Sequence, residues 1–242
     1  MDRLVSKFAA KLVAAGLASR EKPFIPLVGG LDDELVWNRE GAETDLLEEV
    51  FAGLNINSLV CFQPVEPYGS MIAFLARQAQ GAIQPKDCET RTFLHNLPVV
   101  NEFSAAAIIR TLKRRKSVII VSEDQGPVVL AHGTVSPEQG FVVGSSVCFA
   151  AFVKFFTDYL DVLRSGRATA GYHQAYDHAI SHLTSPSRGA PALMAAPFAE
   201  EAEVYRSIAQ AGRETVSHHL VDSYFGNVSY RWKETLYISQ TG

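Results

Sequence analysis

The sequence predicts an α/β domain, because segments with helical periodicity alternate along the chain with short apolar runs that are typical of buried strands. The clearest strand is expected at 116–122, where Val-Ile-Ile-Val lies between polar residues. Residues 58–62 and 128–131 are apolar runs bounded by turn residues and predict two further strands. The chain has 242 residues, of which 47% are hydrophobic and 20% charged, so it can bury a sizeable core.

Apolar periodicity and turn residues assign the remaining elements. The Ser-Pro-Glu sequence at 136–138 is typical of a helix start, because it combines a cap, a proline at the first position and an acid in the first turn. Pro98 restricts its segment to the edge or the end of a strand, since proline cannot donate to the ladder. The expected helices are 4–17, 45–53, 71–80, 104–115, 136–164 and 200–218, and the further extended segments are 23–35 and 92–100.

Charge and cysteine content exclude several classes of protein. The net charge is −4, and the only dense basic run, Lys-Arg-Arg-Lys at 113–116, is interpreted as a solvated helix end and not as a nucleic-acid surface. The three cysteines show no CxxC spacing and are interpreted as thiols in a reducing compartment. The N-terminal segment has neither the apolar core of a signal peptide nor the length of a membrane span. We therefore expect a cytoplasmic protein with no nucleic-acid or membrane partner.

Composition divides the chain into three parts. Residues 166–199 are enriched in Gly, Ala, Ser and Pro, which predicts a linker between a core at 1–165 and a C-terminal part at 200–242. The C-terminal part is expected to be a helix followed by a hairpin that turns at Lys233 and Glu234. Because an isolated two-stranded hairpin is marginal in water, we expect this hairpin to be integral to a sheet.

The C-terminal segment carries residues suited to holding a phosphate. Gly226 allows a close backbone approach, and Asn227 and Thr241 offer short polar side chains. Gly242 adds a backbone N–H without steric shielding. Together these residues are a candidate phosphate cradle, although Gly-Asn is also a common structural turn.

The two motifs around that cradle resemble the opening of a class II aldolase/adducin domain. The sequence Gly-Asn-Val-Ser-Tyr-Arg at 226–231 is similar to the family's Gly-Asn-(Val/Ile)-Ser-x-Arg, and Ile-Ser-Gln-Thr-Gly at 238–242 to its Ile-(Thr/Ser)-x-(Thr/Ser)-Gly. Residues 41–165 resemble the rest of the domain, so the order is permuted. The resemblance implies a three-layer α/β/α sandwich with a central mixed or antiparallel sheet. A natural circular permutant and a double-domain protein cut at the start of its second copy both account for the order.

The resemblance also implies a site, and the sequence departs from it. Glu43 matches the family's general acid/base, while Cys61, Gln63 and Gln125 stand where the family has three zinc-binding histidines. One thiol and two neutral amides are poor ligands for Zn²⁺, so we expect no zinc cofactor. His132 is a competing match for the third ligand, at a spacing that is too short.

A second group of histidines lies outside the resemblance. His178 and His182 are spaced i, i+4, which can place two ligands on one helix face. Their polar surroundings favour an exposed histidine-rich helix over a metal site.

The resulting hypothesis is an aldolase/adducin-like protein that binds a phosphorylated or acidic small molecule and has lost the zinc ligands. The alternatives are an active class II aldolase-type lyase acting on a sugar phosphate, which would be an aldehyde-lyase, and a non-catalytic oligomerisation or interaction domain. A homo-oligomer is expected from the resemblance, and also because residues 147–156 are apolar around most of one helix.

Overall fold

A mixed sheet organises the first of the two units into which the chain divides, Met1–Thr184 and Ser185–Gly242. The structure is a computed structural model that describes residues 1–21, 25–122, 126–183, 190–218, 220–221 and 226–240. In chain order the strands of this sheet are β1 (Leu27–Leu31), β2 (Leu35–Trp37), β3 (Ser58–Phe62), β4 (Ala82–Ile83), β5 (Leu97–Val100), β6 (Ser117–Ile120) and β7 (Val128–Gly133). Among the described residues the sheet order is β2-β1-β3-β7-β6-β5-β4, and only the β5–β6 pair is parallel.

Helices cover both faces of this sheet. Alternate residues of β3 point to opposite sides: Val60 and Phe62 pack in one buried cluster, and Leu59 and Cys61 pack in the other. The first cluster includes residues of α1 (Asp2–Ala14), α3 (Tyr68–Gln78) and α6 (Pro137–Arg164), and the second includes residues of α2 (Thr44–Ala52) and α5 (Ala105–Leu112). A short helix, α4 (Cys88–Phe93), precedes β5. The predicted three-layer α/β/α sandwich with a mixed sheet is therefore confirmed.

The long helix α6 lies on the same face of the sheet as α1 and α3 and supplies many of the buried residues there. Gly140 and Gly144 lie directly against β3: a Cβ at Gly140 would stand 2.9 Å from Val60 Cγ2, and one at Gly144 would stand 2.9 Å from Phe62 Cε1. These glycines weaken the helix locally but let it approach the sheet.

Among the described helices α6 alone is long and apolar enough to cross a membrane, yet its buried face belongs to the core. The expected homo-oligomer stays a prediction.

The prediction of a linker at 166–199 is corrected. A helix, α7 (Ala170–His182), lies in this range and belongs to the first unit. Its tyrosines hold it there: the Tyr176 ring stacks on Tyr159 of α6 with centroids 4.1 Å apart, and Tyr172 Oη donates to Gln78 Oε1 of α3 at 2.8 Å. Small and polar residues dominate this segment, so aromatic packing and not apolar periodicity keeps it helical. The core therefore extends beyond residue 165.

The second unit contains α8 (Glu201–Ser217), β8 (Ser229–Trp232) and β9 (Thr235–Ile238). The expectation that the C-terminal hairpin is integral to a sheet is wrong, because within the described residues β8 and β9 pair only with each other. Contacts inside the unit support the hairpin instead. Trp232 Nε1 donates to the Phe198 carbonyl at 2.9 Å, and Tyr237 Oη donates to Glu201 Oε1 of α8 at 2.9 Å.

Candidate active site at the end of β3

The residues that the sequence placed at the family's metal positions lie at the end of a central strand. β3 runs between β1 and β7, and Cys61 stands opposite Leu27 and Leu130 in the two ladders. The side chain of Cys61 is buried in the cluster that faces α2 and α5, and Gln63 follows just beyond the strand.

An ion pair stands beside Cys61. Glu43 is the residue before the first turn of α2, and its Oε1 accepts a hydrogen bond from Arg39 Nη2 at 2.7 Å. Arg39 is itself anchored, because its Nε and Nη2 donate to the Ile25 carbonyl at 3.2 and 2.7 Å. Both side chains are partly exposed, at 23% for Arg39 and 28% for Glu43. The predicted acid/base residue is therefore held by a cation that itself bonds to the segment leading into β1.

The environment of Cys61 keeps its thiol protonated. Burial and, to a smaller extent, the negative charge of Glu43 raise the pKa of Cys61 to about 12, while the positive charge of Arg39 lowers it less. Removing a charge from water costs free energy that the Arg39–Glu43 pair does not offset. Cys61 is consequently a neutral, buried group near neutral pH.

The third residue at a zinc-ligand position of the family is Gln125, and the structure describes only its neighbour. Gln125 lies outside the described residues, but its neighbour Gly126 lies against the side-chain amide nitrogen of Gln63, where a Cβ would collide. Gln63 is thus packed on the backbone just before β7. The fold brings Glu43 and Cys61 together, and it brings Gln63 to the start of β7.

These residues do not fit a zinc ion. A cysteine binds zinc as the thiolate, and the raised pKa of the buried Cys61 thiol makes the required loss of its proton costly. Gln63 offers a neutral amide oxygen, which is a weak ligand, and the carboxylate of Glu43 is engaged by Arg39. His132 does not replace them: it stands opposite Leu59 in the ladder, and its Nε2 lies 3.2 Å from the Arg115 carbonyl oxygen.

Burial also acts on His132. Desolvation lowers the pKa of its imidazole, so the ring stays neutral beside the end of α5. Backbone hydrogen bonds at Arg115 and Leu112 act on the pKa in the opposite direction, each to a smaller extent. His132 is therefore a structural residue of β7 that sits back from the strand end where Cys61 lies.

The candidate phosphate cradle lies in the second unit. Val228 N–H donates to Ser239 Oγ at 2.9 Å, and Ser239 N–H donates to the Val228 carbonyl at 2.9 Å, so the hairpin pairing continues to this point. Gly226 and Asn227 directly precede Val228 in the chain and are exposed. Gly226 has φ +99°, and no atom of the described residues lies within 4 Å of where a Cβ would be, so this part of the structure leaves its backbone open to a ligand. Thr241 and Gly242 lie outside the described residues.

Arg39 is the residue of this site that the sequence analysis missed. A signal existed in the chain, since Arg39 and Glu43 have the i, i+4 spacing of an ion pair. The pair spans the turn into α2 and does not lie within a helix, so the usual helical reason for that spacing is absent.

Comparison with known proteins agrees with this architecture. No family model matches the sequence, and a search of curated proteins finds no match. Solved structures do match, among them an L-fuculose-1-phosphate aldolase from Thermus thermophilus, with a TM-score of 0.52 and 14% identity over 66% of this chain and 95% of the aldolase. The chain therefore has a class II aldolase-like fold, and at this identity the likeness is one of fold alone.

Proposed function

We propose that this chain is an aldolase-like binding protein, which takes up a phosphorylated or acidic small molecule and does not use zinc chemistry. The fold supports the aldolase-like part, since it is shared with an enzyme whose name gives a sugar phosphate as its substrate. The zinc-free part departs from that enzyme class and rests on the residues of this chain.

The observation that carries the proposal is the donor set at the end of β3. At the end of β3 the buried Cys61 thiol holds its proton, while the amide of Gln63 and the carboxylate of Glu43, paired with Arg39, provide hydrogen-bonding groups. Such groups can bind hydroxyls and carbonyls of a polar ligand. Without a Lewis acid, Glu43 lacks the metal that would stabilise the charge created by proton abstraction next to a carbonyl.

The open backbone at Gly226 and the amide of Asn227 support the phosphate part. An unshielded N–H in a left-handed conformation and a side-chain donor next to it are the elements of an anion-binding turn. The phosphate part rests on residues of the second unit alone.

Titration calorimetry with L-fuculose 1-phosphate and with inorganic phosphate tests this function. We expect saturable binding that Gly226→Ala and Asn227→Ala each weaken at least about tenfold, since each loss removes or displaces a charge-assisted hydrogen bond. Gly212→Ala is the matched control, because a Cβ there meets no atom within 4 Å and its φ is not positive.

Two results would contradict the proposal. The first is the absence of binding, or binding that neither cradle variant changes. The second is cleavage of L-fuculose 1-phosphate by the wild-type protein that Glu43→Gln abolishes, because this would identify an active lyase.

A further inference from the structure

We propose that Glu66, His178 and His182 form a surface binding site for a divalent transition-metal ion, with Zn²⁺ as the ion that suits it best. One ligand atom from each of these three side chains lies within 4.8 Å of the other two. Two imidazoles and one carboxylate are a donor set that binds zinc in proteins, in contrast to the thiol and amides at the end of β3.

The packing of two helices brings the three residues together. Tyr172, near the start of α7, contacts the end of α3, with its ring 5.0 Å from that of Phe74 and its hydroxyl bonded to Gln78. The last turns of α7, which carry the histidines, return to the start of α3, where Glu66 lies just before Tyr68. The packing of α7 against α3 therefore places the three residues next to one another on the surface.

The nitrogen and oxygen atoms are already oriented for a metal. His182 Nδ1 lies 2.9 Å from the His178 carbonyl oxygen, so Nδ1 carries the proton and Nε2 presents its lone pair. Glu66 Oε2 accepts from the Ser70 N–H at 3.3 Å, which turns Oε1 toward His178 Nε2 at 3.6 Å. A backbone carbonyl behind a ligating histidine and a hydrogen bond behind a ligating carboxylate are the supports that metal sites use.

The geometry needs only small adjustments. Ligands about 2.1 Å from a tetrahedral ion are about 3.4 Å from one another, so side-chain atoms that lie up to 4.8 Å apart must close by at most about 1.4 Å. Their exposure, 48% for His178 and 39% for Glu66, leaves room for these rotations. With three protein ligands the fourth position faces solvent and is open to water.

Zinc titration of the full chain tests the site, in a Cys88→Ser background that removes the exposed thiol. We expect one Zn²⁺ per chain, and a loss of affinity of at least about tenfold for His178→Ala and for Glu66→Gln, since losing even a residue that only supports a metal ligand costs about 10- to 100-fold. The matched control is His218→Ala, because His218 and Glu214 form another i, i+4 pair, with Nε2 and Oε2 3.4 Å apart.

A second readout guards against misfolded variants. Zn²⁺ should raise the melting temperature of the parent protein and raise that of Glu66→Gln less at the same concentration. The absence of saturable binding, or affinity that neither variant alters, would overturn the site. Binding that survives His178→Ala but disappears in Cys61→Ser would place the ion at the end of β3, and would contradict the proposed function as well.

Discussion

In the native protein Cys61 is expected to react with an alkylating thiol reagent at least about 100-fold more slowly than an exposed thiol of ordinary pKa, at pH 8. With the thiol pKa raised to about 12, only about one Cys61 side chain in 10,000 is a thiolate at that pH, and burial further limits access. Cys148 is also buried, so Cys88 should supply the one fast-reacting thiol.

The Cys88→Ser variant is the control, and mass spectrometry of the alkylated protein is the measurement. This variant should show no fast-reacting thiol. Glu43→Gln removes a charge that raises the pKa of Cys61, so the pKa should fall and alkylation of Cys61 should accelerate. A fast-reacting Cys61 in the unaltered site would mean that the thiolate is present, and the zinc-free account would lose its basis.

Phe141→Ala is expected to lower the free energy of unfolding by about 3–5 kcal/mol. The ring is fully buried on α6, 5.8 Å from the ring of Phe8 on α1, and its loss leaves a cavity between two helices of the same layer. Urea denaturation followed by circular dichroism gives the value. Because domains are typically stable by about 5–15 kcal/mol, this change removes a large share of the total.

Phe149→Ala is the matched substitution on the same helix. Phe149 is 51% exposed, so its loss should change the free energy of unfolding by less than about 1 kcal/mol. Equal effects of the two substitutions would contradict the assignment of the buried face of α6.

Much of the fold follows from local patterns in the sequence. Strand β3 and strand β6 are continuous apolar runs, as strands buried on both faces must be, and α6 begins at the Ser-Pro-Glu sequence that predicted it. The C-terminal hairpin was also predicted, but it was expected to join a larger sheet, whereas β8 and β9 of the described residues pair only with each other. Alternation shows that a segment is a strand, whereas the sheet that it joins depends on contacts remote in the chain.

The helix α7 shows where the sequence signal was insufficient. Of its residues only Ala179 is buried, so its apolar pattern is weak. Aromatic rings of two other helices hold α7 in place. Tyr159 of α6 stacks on Tyr176, and Phe74 of α3 contacts Tyr172. A histidine-rich helix around His178 and His182 was expected from the sequence, but not its packing on α3, and this hid the third ligand of the proposed surface site, Glu66.

The electrostatics of the candidate site could not be predicted from the sequence. The structure places Glu43, Cys61 and Gln63 around the end of β3, and their roles stay predictions. The state of the Cys61 thiol follows from its burial and from the Arg39–Glu43 pair, and both depend on the folded chain. Residue types alone could indicate a poor zinc site, but not that its thiol holds its proton.

Zinc content in the His178→Ala variant tests the central claim most directly, because this variant removes the proposed surface site and leaves the end of β3 intact. Elemental mass spectrometry of protein purified without chelator should find no zinc in proportion to the chain, since a protonated thiol, an amide and a paired carboxylate do not hold the ion. Zinc near one ion per chain in that variant, lost when Cys61→Ser is added, would contradict the account.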